Sequence, residues 1–159
     1  MSARAAALAP VQRTIFVEAP PEQAFAVFTE QFGSWWPASY SLVEGGYGTA
    51  FIEPREGGRW YERGESGAEC EWGRVLAYEP PARLLLSWHI DGAYRVDPDP
   101  AKASEVEVRF VAEGDGTRVE LEHRHFERHA DGGEEVAGTV GSEGGWSGLL
   151  AMYAQAASA

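Results

Sequence analysis

A run of alternating charged and apolar residues in the C-terminal half of the chain restricts the fold most. Over Ser104–Glu113, acidic or basic residues alternate with apolar ones, and Val106, Val108 and Phe110 point to the same face. Gly114–Gly116 then supplies a strong hairpin signal, and the alternation resumes over Thr117–Phe126. An antiparallel sheet with one covered face and one solvated face has this pattern. The sequence therefore predicts a half-covered antiparallel hairpin.

Further strands are predicted on both sides of a helical stretch. The β-branched, alternating Val11–Val17 predicts the first strand. Turn residues separate Gly48–Glu53 from Arg59–Arg63, and others separate Cys70–Tyr78 from Arg83–Ile90, which predicts two more hairpins. Together with the hairpin at the C-terminal end, these segments predict an antiparallel sheet.

Two short helices are predicted after the first strand. Pro21 suits a first helical turn, because its missing N–H is not needed there. Phe25, Phe28 and Phe32 follow at i, i+3 and i+7, which is an apolar helical stripe. Pro37 interrupts the second helical segment.

The last predicted element is a helix that covers the sheet. Four apolar residues from Trp146 to Tyr153 fall at i, i+3, i+4 and i+7, on one stripe. Glycines disfavour a continuous helix upstream, so we expect the main helix to begin near Ser142–Gly145, with Glu134–Val140 as a separate turn. The predicted fold is α+β, a twisted antiparallel sheet around a long C-terminal helix.

Length and charge limit the classes of partner. The chain has 159 residues, which suits one domain, and a net charge of -12. Such a surface repels phosphate backbones and anionic headgroups, so we expect no nucleic-acid partner. No run approaches the ~20 apolar residues of a transmembrane helix, so we expect no membrane insertion. Residues 1–10 are predicted to be a flexible tail before a single domain at 11–159. Cys70 is the only cysteine, and without a secretory signal the predicted location is the cytoplasm.

Six tryptophans form the first group of candidate ligand-binding residues. In a cavity with a few fixed polar groups, indole rings suit a hydrophobic or aromatic ligand. The alternative is that the indole rings pack in the core. This alternative is favoured for Trp88, which shares a strand face with Leu84 and Leu86. The candidate residues are Trp35, Trp36, Trp60, Trp72, Trp88 and Trp146, together with Leu150 on the C-terminal helix.

His123 and Arg13 are the polar candidates. His123 continues the apolar face of its strand, where loss of solvation favours a neutral ring. Such a ring is able to anchor a ligand hydroxyl or carbonyl, or to act as a general base; a purely structural histidine is the alternative. Arg13 shares its parity with Ile15 and Val17, so it is predicted to point inward. Its alternative is an ion pair with a glutamate, with Glu53, Glu71 and Glu122 as the candidates.

Metal and cofactor sites are not expected. His123 and His125 share one strand face, as a zinc or copper site requires. Neighbouring arginines and the lack of third and fourth ligands in the sequence argue against such a site. Neither a Gly-x-Ser-x-Gly elbow nor a phosphate-binding loop is present in the sequence. We therefore predict no metal and no cofactor.

Several strings together resemble a known superfamily. They are PPEQAF at Pro20–Phe25, WWP at Trp35–Pro37, EPREGGRW at Glu53–Trp60, GRVL at Gly73–Leu76, TRVELEH at Thr117–His123 and the closing Gly145-Trp146. In this order they are similar to the START-like, helix-grip superfamily called SRPBCC, and within it to the bacterial branch named for the Hsp-90 ATPase activator. The resemblance implies an antiparallel sheet of six or seven strands that grips the C-terminal helix, with a cavity between them. Members include lipid carriers, hormone receptors, aromatic polyketide cyclases and chaperone activators.

Three functions are compatible with these features. The leading hypothesis is binding or carriage of a hydrophobic or aromatic small molecule, without catalysis. The second is an enzyme of the cyclase, hydratase or isomerase type that uses His123 as acid or base on a similar ligand. The third is a modulator of a chaperone ATPase that acts through protein contacts, and a homodimer is also compatible with the sequence.

Overall fold

The alternating C-terminal hairpin forms two adjacent strands, β6 and β7, of one antiparallel sheet, next to the edge strand β1. The computed structural model describes residues 8–43, 45–130 and 132–158. Within these residues, seven strands lie in the order β1-β7-β6-β5-β4-β3-β2. Their bounds are β1 Val11–Val17, β2 Tyr47–Ile52, β3 Arg59–Gly64, β4 Glu69–Glu79, β5 Arg83–Trp88, β6 Ser104–Glu113 and β7 Gly116–Arg124.

The register of β1, β7 and β6 places the apolar residues of these strands on one face of the sheet. Val108 pairs with Leu121 across β6 and β7, and Arg13 of β1 also lies opposite Leu121. Val108 and Leu121 are almost fully buried, whereas Arg109, next along β6, is exposed. The alternation therefore separates a covered face from a solvated one, as the sequence predicts.

Three α-helices and several short turns surround this sheet in the described part of the chain. The helices are α1 Pro21–Phe28, α2 Gly133–Val140 and α3 Gly148–Ala157. The 3₁₀ turns are Phe32–Ser34, Ala38–Tyr40, Pro100–Lys102 and Phe126–Arg128, and a π-helical stretch covers Glu143–Ser147. The predicted second helix after β1 is thus a pair of 3₁₀ turns. No described helix is long and apolar enough to cross a lipid bilayer.

The C-terminal helix begins later than the glycine pattern suggests. A start near Ser142–Gly145 is predicted, but regular α-helix begins at Gly148, after the π-helical stretch. Gly145 has non-helical backbone angles, and a Cβ added to it would lie 2.1 Å from the carbonyl oxygen of Val140. The end of α2 therefore crowds this position, and the helical path is interrupted here. The predicted turn at Glu134–Val140 is the α-helix α2.

Two predicted strand ends differ from the structure by two residues, and the other strand bounds agree to within one residue. β5 ends at Trp88, and Ile90 forms only an isolated bridge with Val96. β7 ends at Arg124, because His125 adopts a left-handed conformation with a φ of 68° and turns the chain into a 3₁₀ turn.

The core lies between the curved sheet and helices α1 and α3. Phe28 of α1 meets Tyr153 of α3 edge to face, with ring centroids 5.1 Å apart. Burying each such side chain stabilises the fold by about 1.5–3 kcal/mol. The sheet and the C-terminal helix therefore form the predicted helix-grip arrangement. Most of the predicted N-terminal tail lies outside the described residues, but Leu8 packs against the core.

Candidate functional site

An aromatic cavity lies beside α3, at one end of the sheet. It has a volume of about 400 Å³ and is enclosed by β4, β5, α2, the start of the C-terminal helical segment and the loop after Trp36. Trp36, Trp72 and Trp88 supply the aromatic wall, and Val136 and Leu149 face them from the helices. A volume in this range accommodates a drug-sized molecule.

Three of the predicted ligand-binding tryptophans therefore line one cavity. Trp72 of β4 and Trp88 of β5 come from neighbouring strands, and Trp36 packs against Trp72 with ring centroids 5.1 Å apart. Trp88 is only 8% exposed, so it belongs to the core and to the cavity wall at once.

The other predicted apolar site residues lie in the core and do not line this cavity. Trp35 donates its indole N–H to the carbonyl oxygen of Val27 at 3.0 Å. Trp60 packs beneath the cavity wall, 5.5 Å from Trp88 between ring centroids. Leu150 is 1% exposed. These residues support the wall and do not contact its inner surface.

Trp146 connects the wall to a buried histidine. Its ring lies 5.9 Å from that of Trp88, and its Nε1–H donates to Nδ1 of His123 at 3.0 Å. His123 Nε2 meets Ser104 Oγ at 2.8 Å, and the same hydroxyl lies 2.9 Å from Nε2 of His129. His123 is thus fully buried with both ring nitrogens hydrogen-bonded.

The protonation state of His123 follows from this environment. Burial lowers the pKa of His123 well below its usual value, and the charge of His129 lowers it further. Trp146 can only donate, so Nδ1 of His123 must accept and stays unprotonated. The ring is therefore neutral, as the sequence predicts. It packs against Trp88 and does not line the cavity itself.

Arg13 holds the connection between α2 and α3. Its Nη2 donates to the carbonyl oxygen of Gly141 and its Nε to Ser147 Oγ, both at 2.8 Å. Among the described residues it forms no ion pair, unlike Arg59, which pairs with Glu53, and Arg74, which pairs with Glu71. Arg13 therefore positions the segment that closes one side of the cavity.

Glu62 is a functional candidate that the sequence interpretation missed. Its carboxylate is fully buried and accepts hydrogen bonds from Ser41 Oγ at 2.7 Å, from the backbone N–H of Leu42, and from Trp72 Nε1 at 3.3 Å. It thereby fixes two rim residues and one wall indole. The alternation of β3 could have indicated Glu62, because Glu62 lies two residues after Trp60 and therefore on the same buried face.

The rim of the cavity carries polar and aromatic residues from loops. Asp91 Oδ1 accepts from the backbone N–H groups of Ala93 and Arg95, which forms a tight turn. Tyr94 lies in this turn with a φ of 61° and is 63% exposed at the rim. Glu135 of α2 contributes a second carboxylate to the lining.

Metal ligation finds no geometric basis in the described residues. No group of three or more His, Cys, Asp or Glu side chains is placed there to hold an ion. His125 turns away from β7 at its left-handed position and lies within ion-pair distance of Glu105 and Glu127.

A curved antiparallel sheet that grips a C-terminal helix beside an aromatic cavity defines the helix-grip class of proteins. The chain belongs to the family described as Activator of Hsp90 ATPase homolog 1-like protein, whose profile matches residues 18–156. This family lies within the SRPBCC superfamily that the sequence motifs indicate. Among curated proteins, none matches the chain significantly.

Solved structures provide more specific similarities. The chain is 41% identical to the anthrahydroquino-gamma-pyrone synthase Txn09, solved as a complex with SUM, over 94% of this chain and 97% of that one, with a TM-score of 0.66. It is 31% identical to CalC, a self-sacrificing resistance protein from Micromonospora echinospora, over 93% of each chain, with a TM-score of 0.65. CalU16 from the same organism is 26% identical over 94% of this chain and 76% of that one, with a TM-score of 0.60.

Proposed function

We propose that the chain binds a flat, largely apolar aromatic small molecule in the cavity between sheet and helices. The observation that carries the proposal is a space of about 400 Å³ with three indole rings in its wall. Indole rings offer large, rigid apolar surfaces that stack on other aromatic systems. A pocket with an apolar wall and a few polar groups at its rim is typical of small-molecule sites.

The similarity to Txn09 supports the aromatic character of the ligand. The name of that protein refers to an anthrahydroquinone joined to a pyrone, which is a fused-ring aromatic system. At 41% identity over nearly the whole of both chains, a ligand of related shape is a reasonable proposal for this chain.

Tryptophan fluorescence and calorimetry test the proposal with fused aromatic ketones, flavonoids and fatty acids as separate ligand groups. We expect the fused aromatics to quench the emission and to raise the melting temperature. A ligand at about 100 times its dissociation constant stabilises the folded state by about 2.7 kcal/mol. If no compound quenches the emission or shifts the melting temperature, the proposal is wrong.

A cavity-filling variant locates the binding site. Thr139 of α2 lines the cavity, so Thr139→Phe places a ring in the ligand space. Glu134→Phe adds the same ring to the same helix at an exposed position that does not line the cavity. We expect at least a tenfold loss of affinity in the first variant and little change in the second. Equal affinity in both would place the ligand elsewhere.

Ring-closing catalysis on such a ligand is the second candidate, and the identity to a named synthase favours it. Among the cavity-lining residues, Glu135 is a carboxylate with no hydrogen bond or ion pair to a described residue, so its oxygens are accessible to a ligand in the cavity. His123 suits this role less, because both of its ring nitrogens are hydrogen-bonded within the core.

Variants separate the two candidate acid–base groups. With an open-chain precursor of a γ-pyrone as substrate, Glu135→Gln should abolish turnover and keep ligand affinity. His123→Gln is the comparison, and loss of turnover in this variant alone would assign the role to His123. An unchanged rate in both variants would exclude both residues as acid or base.

Three further expectations from the sequence stay predictions. A pull-down experiment tests the chaperone interaction, sedimentation tests the homodimer, and cell fractionation tests the cytoplasmic location.

A further inference from the structure

The six indole N–H groups differ in whether the protein satisfies them. Four of them donate to a protein acceptor at 3.0–3.3 Å: Trp35 to Val27 O, Trp72 to Glu62, Trp88 to Ile90 O and Trp146 to His123. The N–H groups of Trp36 and Trp60 are buried and have no hydrogen-bond partner among the described residues. Buried donors are normally paired, so these two require an explanation.

Position separates the two unpaired donors. Trp60 is fully buried in the core and does not line the cavity. Trp36 lines the cavity and is 7% exposed, so more than nine-tenths of its surface is covered. Of the three indoles in the cavity wall, Trp72 and Trp88 donate to protein acceptors, and only the N–H of Trp36 is unused.

The charge of the cavity limits which acceptor can approach. Among the described lining residues none is Lys, Arg or His, whereas Asp91 and Glu135 are both acidic. The whole chain carries a net charge of -12. An anionic ligand group would thus meet like charges in a partly desolvated space. The acceptor that suits this wall is a neutral oxygen.

We propose that Nε1–H of Trp36 is the hydrogen-bond donor for a carbonyl oxygen of the ligand, which makes the preferred ligands neutral aryl ketones or quinones. This rests on the proposed function, since it assigns a contact within the same cavity. The chain after Trp36 continues through Pro37 into a short 3₁₀ turn with exposed residues. Nε1 of Trp36 is itself buried, and the ring stacks on Phe32 and packs against Trp72. The proposed contact therefore requires the N–H edge of the indole to turn toward a seated ligand.

Three probes of the same shape test the assignment by titration calorimetry. 9-Fluorenone carries the carbonyl oxygen, fluorene lacks it, and fluorene-9-carboxylate carries an anion instead. We expect 9-fluorenone to bind about tenfold more tightly than fluorene, and the carboxylate to bind most weakly. Trp36→Phe keeps an aromatic ring but removes the N–H, so the ratio between 9-fluorenone and fluorene should fall to about one.

Trp60→Phe is the matched control, because it removes the other unpaired indole N–H. The ratio between the two probes should stay at its wild-type value in this variant, whatever its effect on affinity in general. A ratio that Trp36→Phe leaves unchanged overturns the assignment.

Side-chain indole resonances in a ¹H–¹⁵N spectrum of the wild-type protein provide a second test, which does not depend on whether a variant folds. 9-Fluorenone should shift the Trp36 indole proton downfield, as a new hydrogen bond does, and fluorene should not. No downfield shift of this resonance in the 9-fluorenone complex overturns the assignment.

The two proposals fail in different ways. In one outcome, Thr139→Phe lowers the affinity for both 9-fluorenone and fluorene, but Trp36→Phe leaves their affinity ratio unchanged and the Trp36 indole resonance does not shift. The cavity then binds ligands without this hydrogen bond. If neither probe binds, or if Thr139→Phe leaves both affinities unchanged, the proposed function itself is wrong.

Discussion

The indole Nε1–H of Trp146 donates to Nδ1 of His123 at 3.0 Å, and this bond joins the start of the C-terminal helical segment to β7. It leaves the ring proton of His123 on Nε2, which donates to Ser104 Oγ at 2.8 Å. The hydroxyl of Ser104 also lies 2.9 Å from Nε2 of His129 and 3.5 Å from the carbonyl oxygen of Trp88, to which it is able to donate. One indole thus sets the direction of hydrogen bonding through His123 to Ser104.

Loss of this donor should destabilise the fold. Trp146→Phe keeps an aromatic ring but leaves Nδ1 of His123 buried without a partner, which costs about 1–3 kcal/mol. Trp60→Phe is the control, because the Trp60 N–H has no partner to lose. Urea denaturation should show a free energy of unfolding for Trp146→Phe lower than that of Trp60→Phe by this amount. Equal values would mean that the hydrogen bond contributes nothing.

Stability should fall on mild acidification because of the buried histidines. Burial lowers the pKa of His123 and of His129, so below a pH of about 6.5 the unfolded state binds protons that the folded state does not. The free energy of unfolding should thus decrease between pH 6.5 and 5, by up to about 1.4 kcal/mol per pH unit for each histidine. Glu107 affects the free energy of unfolding only at lower pH. Burial raises the pKa of Glu107, but its ion pairs lower that pKa to about 2.

A substitution assigns this slope to its residue. His123→Gln removes the contribution of this histidine. The free energy of unfolding should therefore decrease less between pH 6.5 and 5 in this variant than in wild type. His125→Gln is the comparison variant, because it replaces an exposed histidine just after the same strand. Chemical denaturation at a series of pH values measures both. The same slope in His123→Gln and in wild type would contradict the explanation.

The buried carboxylate of Glu62 should be needed for both stability and ligand binding. Glu62→Gln replaces one acceptor oxygen by an NH₂ group. Pointed toward Leu42 and Trp72, this group faces two donors, and pointed toward Ser41 it requires the Ser41 hydroxyl to accept instead of donate. We expect a loss of about 1–3 kcal/mol in unfolding free energy and faster hydrogen exchange at the Leu42 amide. Glu65→Gln, at an exposed position just after the same strand, is the control. Unchanged exchange at Leu42 would show that Glu62 does not hold the rim.

Two glycines near the cavity should respond to alanine in opposite directions. A Cβ at Gly145 would lie 2.1 Å from the carbonyl oxygen of Val140, whereas a Cβ at Gly138 in α2 meets nothing within 4 Å. Gly145→Ala should lower the unfolding free energy by about 1–3 kcal/mol. Gly138→Ala should raise it by about 0.5–1 kcal/mol, because alanine favours the helix. Thermal and urea unfolding distinguish these outcomes, and a stable Gly145→Ala would refute the crowding.

Strands with strict alternation could be predicted to the residue. The bounds of β1 at Val11–Val17 and β6 at Ser104–Glu113 are those that the sequence predicts. Elements whose limits depend on contacts elsewhere in the chain could not. The start of α3 is set by the crowding between Gly145 and Val140, and the end of β7 by the left-handed turn at His125.

The candidate site was predictable only in its wall of tryptophans. Trp72 and Trp88 lie on strands, and the sequence identifies both as candidates. Asp91, Tyr94 and Glu135 come from a loop and a short helix with no periodicity that points to a cavity, so only the folded chain brings them together. Which indole N–H remains unpaired depends on acceptors distant in sequence, and no local pattern shows it.

The division between core and rim has a consequence for how such a protein changes its ligand. Indoles beneath the wall, such as Trp60, hold the sheet and helices together, whereas Tyr94 and Glu135 are exposed and support little packing. Substitutions at exposed positions away from such packing usually alter stability by less than about 0.5 kcal/mol. New binding preferences are therefore accessible through rim substitutions while the scaffold stays intact, so relatives with one architecture are able to diverge in chemistry.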